Sequence, residues 1–178
     1  MKWLIAVLLA LTFGSARSEQ CLVDHCHDGD TCTLRCGVGS DVVRHIKVRL
    51  HCIDAPEVKQ EPWGKWSARA LRQYAPAGAL IDLEALKSDR YGRTVGVLRA
   101  RGASLNLEMV RQGFAAVYEK YCAEPAFYEA QAQAQAARRG IWSRPGMQQR
   151  PWDWRHGKVE FIPLPKPHNL HLKPIHTL

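Results

Sequence analysis

From Val42 to Ile53 the chain alternates in polarity. Ile46, Val48, Leu50 and Cys52 share one face, and His45, Lys47, Arg49 and His51 share the other. A period of two over that length demands a strand buried on one side only, so the fold must contain a sheet with something covering it. Pro56, in Asp54-Ala55-Pro56-Glu57, withholds a backbone donor and ends the ladder. Two shorter alternating runs, Cys21 to His27 and Thr31 to Cys36, flank Asp28-Gly29-Asp30, which reads as a hairpin turn. Further strands are predicted at Ala79 to Leu86 and Val95 to Ala100, separated by a polar turn from Ser88 to Arg93.

Helical spacing occurs in three places. Trp66, Ala70, Leu71 and Tyr74 line one face between Gly64 and Tyr74. Leu105, Met109, Val110 and Phe114 mark a second helix, stopped near Gly113. A third starts at Pro125, carries Phe127, Ala130, Ala134 and Ala137, and closes at Gly140. Five short strands with segregated helices predict an α+β domain built on a small barrel. The chain has 178 residues, of which 46% are hydrophobic and 24% charged, enough to bury one core and too apolar for a disordered chain.

The two ends have a different composition. Lys2, the apolar run Trp3 to Phe13 and the small residues Gly14-Ser15-Ala16 read as a signal peptide over residues 1–16, cleaved between 16 and 20. The run is too short for the ~20 residues of a membrane span, and Glu19-Gln20 before Cys21 lacks the small residues of lipoprotein processing. The expectation is an exported protein, secreted or periplasmic, with no membrane attachment after cleavage. The folded domain is expected over residues 21–143. From 144 to 178, Pro145, Pro151, Pro163, Pro165, Pro167 and Pro174 predict a tail without regular structure, on which only Trp152 and Trp154 dock. All six cysteines lie outside the leader, as suits an oxidising compartment, and they allow 15 pairings. If Cys32 to Cys36 is one strand, ~13 Å separates those two backbones, beyond a disulfide's reach of about 7 Å.

The charge is +8, from 25 Lys+Arg against 17 Asp+Glu, which favours a polyanionic partner. Three clusters then carry chemistry: Asp28-Gly29-Asp30-Thr31, Arg49-x-x-x-x-Asp54-Ala55-Pro56-Glu57 and Asp89-Arg90-Tyr91-Gly92-Arg93. Aspartates from different turns, with a backbone carbonyl, suit a hard cation such as Ca²⁺. Arginines suit a phosphate, because each guanidinium grips two oxygens and keeps its charge. A glutamate among them can take a proton from water. An EF-hand reading of the first cluster fails, since it puts Arg35 where the bidentate glutamate belongs. A silent single-strand-binding module is the main rival, but carboxylates beside a phosphate would only repel its ligand.

In order and spacing these motifs resemble those of the staphylococcal nuclease family, and Asn106-x-x-Met109-Val110-Arg111-Gln112-Gly113 and Gly140-Ile141-Trp142 extend the likeness from Cys21 to Trp142. The resemblance implies a five-stranded OB-type β-barrel with three helices, and a calcium-dependent endonuclease acting on DNA and RNA as a monomer. It implies Asp30, Asp54 and the Ala55 carbonyl as metal ligands, Glu57 as general base, and Arg49 and Arg93 as the catalytic phosphate-binding arginines. Arg90 and Tyr91 match positions that hold a terminal phosphate, and Tyr121 matches a base-stacking tyrosine. A second stacking position holds Glu119, with Tyr118 one residue earlier. The family pattern does not account for the cysteines, which are expected to staple the barrel.

Overall fold

In a computed structural model describing residues 18–37 and 39–157, β1 (Ser18–Cys26) and β2 (Thr31–Cys36) form the expected hairpin around Asp28-Gly29-Asp30. The signal segment at 1–16 and the tail beyond 157 lie outside the described residues. β3 (Arg44–Leu50) adds to β2, a short β4 (Ile53–Asp54) follows, and β5 (Leu80–Ser88) and β6 (Thr94–Ala100) complete the main strands. The sheet runs β3-β2-β1-β5-β6, and a parallel pairing of β3 with β6 closes it into a five-stranded barrel. Two-residue strands β7 (Ala103–Ser104) and β8 (Ala116–Val117) pair with β6 and β4.

The sequence pattern is followed closely, with local exceptions that have physical causes. Val48 and Leu50 are buried, while Ile46 is half-buried at the open end of the core. The run read as one strand to Ile53 breaks after Leu50. Cys52 takes a left-handed φ of 67°, and Ile53 and Asp54 turn away to pair with β8. In β1 a register shift between Val23 and His25 moves the buried positions from Cys21 and Val23 to Cys26. That shift brings Cys26 opposite Cys32, as Cys21 is opposite Cys36. Both pairs are disulfides, and Cys52–Cys122 is a third.

α1 (Trp63–Tyr74), α2 (Leu105–Arg111) and α3 (Pro125–Ala136) are the three expected helices. Leu71, Met109 and Val110 enter the barrel core, with Phe127 and Ala130 behind them. Buried Asn106 locks α2 to the barrel's closure: its amide donates to the His51 and Gly96 carbonyls and accepts from Leu98 N–H. The expectation of an irregular segment after 143 is corrected. Met147–Gln149 is a 3₁₀ turn and Pro151–Arg155 a fourth helix, α4. Buried Gln148 donates to the Ile141 and Arg144 carbonyls, and Trp152 packs on a second cluster of Trp63, Ala116 and Ile141 with Trp66 and Trp142. Apolar packing thus overrides the local cost of the prolines, and Pro151 itself sits at the first turn, where a missing N–H costs nothing.

Candidate active site

The β1–β2 turn, the end of β3 and β4 meet at one point. Asp28 accepts from Asp30 N–H at 3.0 Å, fixing the turn, and Asp30 is turned inward with 1% of its surface exposed. Gly29 is required by close approach rather than by its torsion, since a Cβ there would lie 1.8 Å from Ser67 Oγ of α1 and 2.7 Å from Ala55 Cβ. Asp54 is fully buried at the end of β4. Arg49 projects from β3 on the face opposite Val48 and Leu50 and donates to both carboxylates, to Asp30 Oδ1 and to Asp54 Oδ1. The second Asp30 oxygen accepts from Ala55 N–H at 2.7 Å, and Thr31 Oγ1 donates to the first.

Asp30 and Asp54 are thus two buried carboxylates on the two terminal nitrogens of one guanidinium. Their donors are all oxygen, so the set fits a hard divalent ion rather than a thiophilic one. The other groupings of acids with cysteine, around Cys21–Cys36 and around Cys52 with His51 and Glu124, have their sulfurs in disulfides and offer no thiolate.

Glu57 stands on the loop after β4, its side chain 35% exposed. Gly64 of α1 lets that loop pass, because a Cβ there would lie 1.8 Å from the Glu57 carbonyl oxygen. The Glu57 carboxylate is joined to the centre by a residue that the sequence reading missed. Arg155 of α4 donates from Nη1 to Glu57 Oε1 at 2.8 Å and from Nη2 to Asp54 Oδ1 and Oδ2 at 2.7 and 2.8 Å. Burial pulls the Arg155 pKa down, but the Asp54 and Glu57 carboxylates outweigh it and hold it above the ordinary arginine value.

The remaining expected residues form a second group. Arg93 is bound within its own turn, Nε to Asp89 Oδ2 at 2.8 Å and N–H to Asp89 Oδ1 at 3.0 Å. Burial pushes the Asp89 carboxyl up, but the Arg93 and Tyr91 hydrogen bonds outweigh it and hold it below the usual range. Tyr91 is 67% exposed, with Arg90 and Arg93 over its ring. Parallel pairing sets Arg49 beside Val95, so Arg93, two residues earlier, borders the same edge of the barrel as Arg49. Tyr121 is half-exposed and meets Tyr118 edge to face, with Lys87 and Lys120 over its ring. Tyr118 in turn stacks on Trp152, with ring centroids 5.8 Å apart. Beside them Tyr118, Glu119, Lys120, Trp152, Asp153 and His156 line a cleft of about 380 Å³.

Residues 47–144 match the model of the staphylococcal nuclease homologue family. The chain belongs to this family. Membership makes it an enzyme, a hydrolase of the nuclease class. An Escherichia coli protein named an uncharacterized endonuclease is 38% identical over 132 residues, covering 74% of this chain and 81% of its own. A Haemophilus influenzae protein of the same name is 38% identical over 143 residues, covering 79% and 77%. The micrococcal nuclease of Shigella flexneri is 35% identical over 124 residues, covering 62% and 68%. The family match ends before α4, so Arg155, which bridges Asp54 and Glu57, and Trp152, which stacks on Tyr118, lie outside the matched region.

Proposed function

We propose that this nuclease is an exported, calcium-dependent endonuclease that hydrolyses phosphodiester bonds in DNA and RNA. The observation that carries the reading is the pair of buried carboxylates, Asp30 and Asp54, bridged by Arg49 at the barrel's edge. Asp30, Asp54 and the Ala55 carbonyl would hold Ca²⁺, which when bound supplies charge neutralisation at the reacting phosphate. Glu57 takes a proton from the attacking water, whose oxygen bonds to phosphorus as the ester P–O bond breaks. Arg49 and Arg93 donate to the phosphoryl oxygens, whose negative charge grows toward the transition state. Arg90 and Tyr91 bind a terminal phosphate, and Tyr121 stacks on a base.

Three disulfides among the described residues, and no helix there long and apolar enough to cross a membrane, support export to an oxidising compartment. Cleavage near Ala16 also preserves the pairing of Ser18 with Glu84. Purified protein is expected to degrade both DNA and RNA with calcium and neither with a chelator. Glu57→Gln should lower turnover at least ~10²-fold, the usual loss for a general base. Near-parental turnover in that variant would overturn the role of Glu57, and cleavage in the presence of chelator would overturn the role of the metal.

A further inference from the structure

The Glu57 carboxylate makes one hydrogen bond among the described residues, and it is to Arg155. A base on a solvent-facing loop with no other anchor has several rotamers open to it, and only one points its oxygen where an attacking water can stand. Arg155 is far better fixed. Its other terminal nitrogen, Nη2, donates to both oxygens of Asp54, a carboxylate with no exposed surface that Arg49 holds from a second direction. α4 behind it is seated by buried Pro151, by the stacking of Trp152 on Tyr118, and by Gln148 beneath. We propose that Arg155 is a positioning residue for catalysis: its guanidinium transmits the fixed position of Asp54 to Glu57 and sets the base at one distance from the metal ligands. The inference rests on the reading of Glu57 as the base.

A guanidinium suits this task because it is a planar fork with two edges, whereas an ammonium is a point charge that cannot span both carboxylates at once. An isolated surface ion pair does little, but here one partner, Asp54, is wholly buried and the fork joins it to Glu57 on the loop that follows β4. The segment also lies beyond the C-terminal end of the family match at residue 144.

The test is a double-mutant cycle in the full chain, with steady-state kinetics on one oligonucleotide at saturating calcium and thermal unfolding of each variant. Arg155→Ala is expected to lower kcat by roughly 10- to 100-fold, as a misplaced catalytic group does, and to leave KM within about 3-fold. Millimolar guanidinium should restore part of that loss, while the same concentration of sodium chloride should not. Arg155→Lys, which keeps the charge and the fold, should fall between parent and alanine variant. Arg155→Ala in a Glu57→Gln background should cost little more, because Arg155 acts through Glu57. Parental or raised kcat in Arg155→Ala, the latter marking a cover over the site, would overturn the proposal. So would fully additive losses, or an Arg155→Lys variant as fast as the parent. A slow Glu57→Gln beside a fast Arg155→Ala sinks this inference alone; a fast Glu57→Gln sinks the reading of the base and this inference with it.

Discussion

Arg49 and Arg93 face the same phosphate in the proposed reaction, yet they are held in opposite ways. Arg49 is bound by carboxylates 19 and 5 residues away, on two other elements, and its side chain is 15% exposed. Arg93 is bound by a carboxylate four residues away in its own turn and is 28% exposed. The first pairing needs β3 laid against β2 and the chain turned back at β4; the second needs only a turn. Arg49 is therefore part of what holds the domain together as well as of the proposed chemistry. Arg93 is free to exchange its partner for substrate at small cost to the fold.

The largest expected effect is that of Arg49→Ala. It leaves Asp30 buried without its cation, and removing one partner of such a pair costs about 3–5 kcal/mol. Urea unfolding should show that loss, and turnover of the folded fraction should fall by ~10²–10³-fold. Arg93→Ala should reduce turnover by about 10²-fold yet cost no more than about 1 kcal/mol of stability, as for other partly exposed pairs. Equal destabilisation by the two substitutions would break the comparison.

The smallest effect lies in acid. The folded Asp89 carboxyl titrates below its unfolded value of about 3.9. Its contribution is therefore complete above that value and is lost as pH falls through the folded pKa. Thermal unfolding of Asp89→Asn and parent should differ at neutral pH and converge below about pH 4. A difference that stays constant down to pH 2 would show that the Asp89 charge is not what the turn uses.

The same contrast explains what the sequence made legible. β2, β3 and β5 were readable from their period of two. α1 to α3 were readable because apolar residues recur at helical spacing within each, as Ala70 and Leu71 with Tyr74, Leu105 with Met109, and Phe127 with Ala130 and Ala134 do. The Asp89–Arg93 turn was readable because it is local. The centre around Asp30, Asp54 and Arg49 was suggested by charged clusters at strand ends, but single roles came from the likeness to a family, since no local pattern says that a hairpin turn and a strand end will meet. Three features escaped. The register shift in β1 has no residue signature, so the Cys26–Cys32 pairing stayed open among the 15 possibilities. The break at Cys52 was hidden because its apolar side chain continued the alternation while its backbone did not. Arg155 was obscured by the prolines around it, although Pro151 followed by Trp152-Asp153-Trp154-Arg155 is itself a helix-start signal.

The Cys52–Cys122 disulfide gives the enzyme a timetable. It spans 70 residues, joining the approach to Asp54 to the end of the loop that carries Tyr118 and Tyr121. In the chain-entropy account, closing a loop of that length is worth about 4 kcal/mol. The same junction is also held by the β4–β8 pairs Ile53–Val117 and Asp54–Ala116, by Tyr118 N–H donating to the Cys52 carbonyl, and by His51 against Glu124. On the proposed export route that bond closes only in an oxidising compartment, so the domain's last reinforcement comes after the chain has left its maker's own nucleic acid behind.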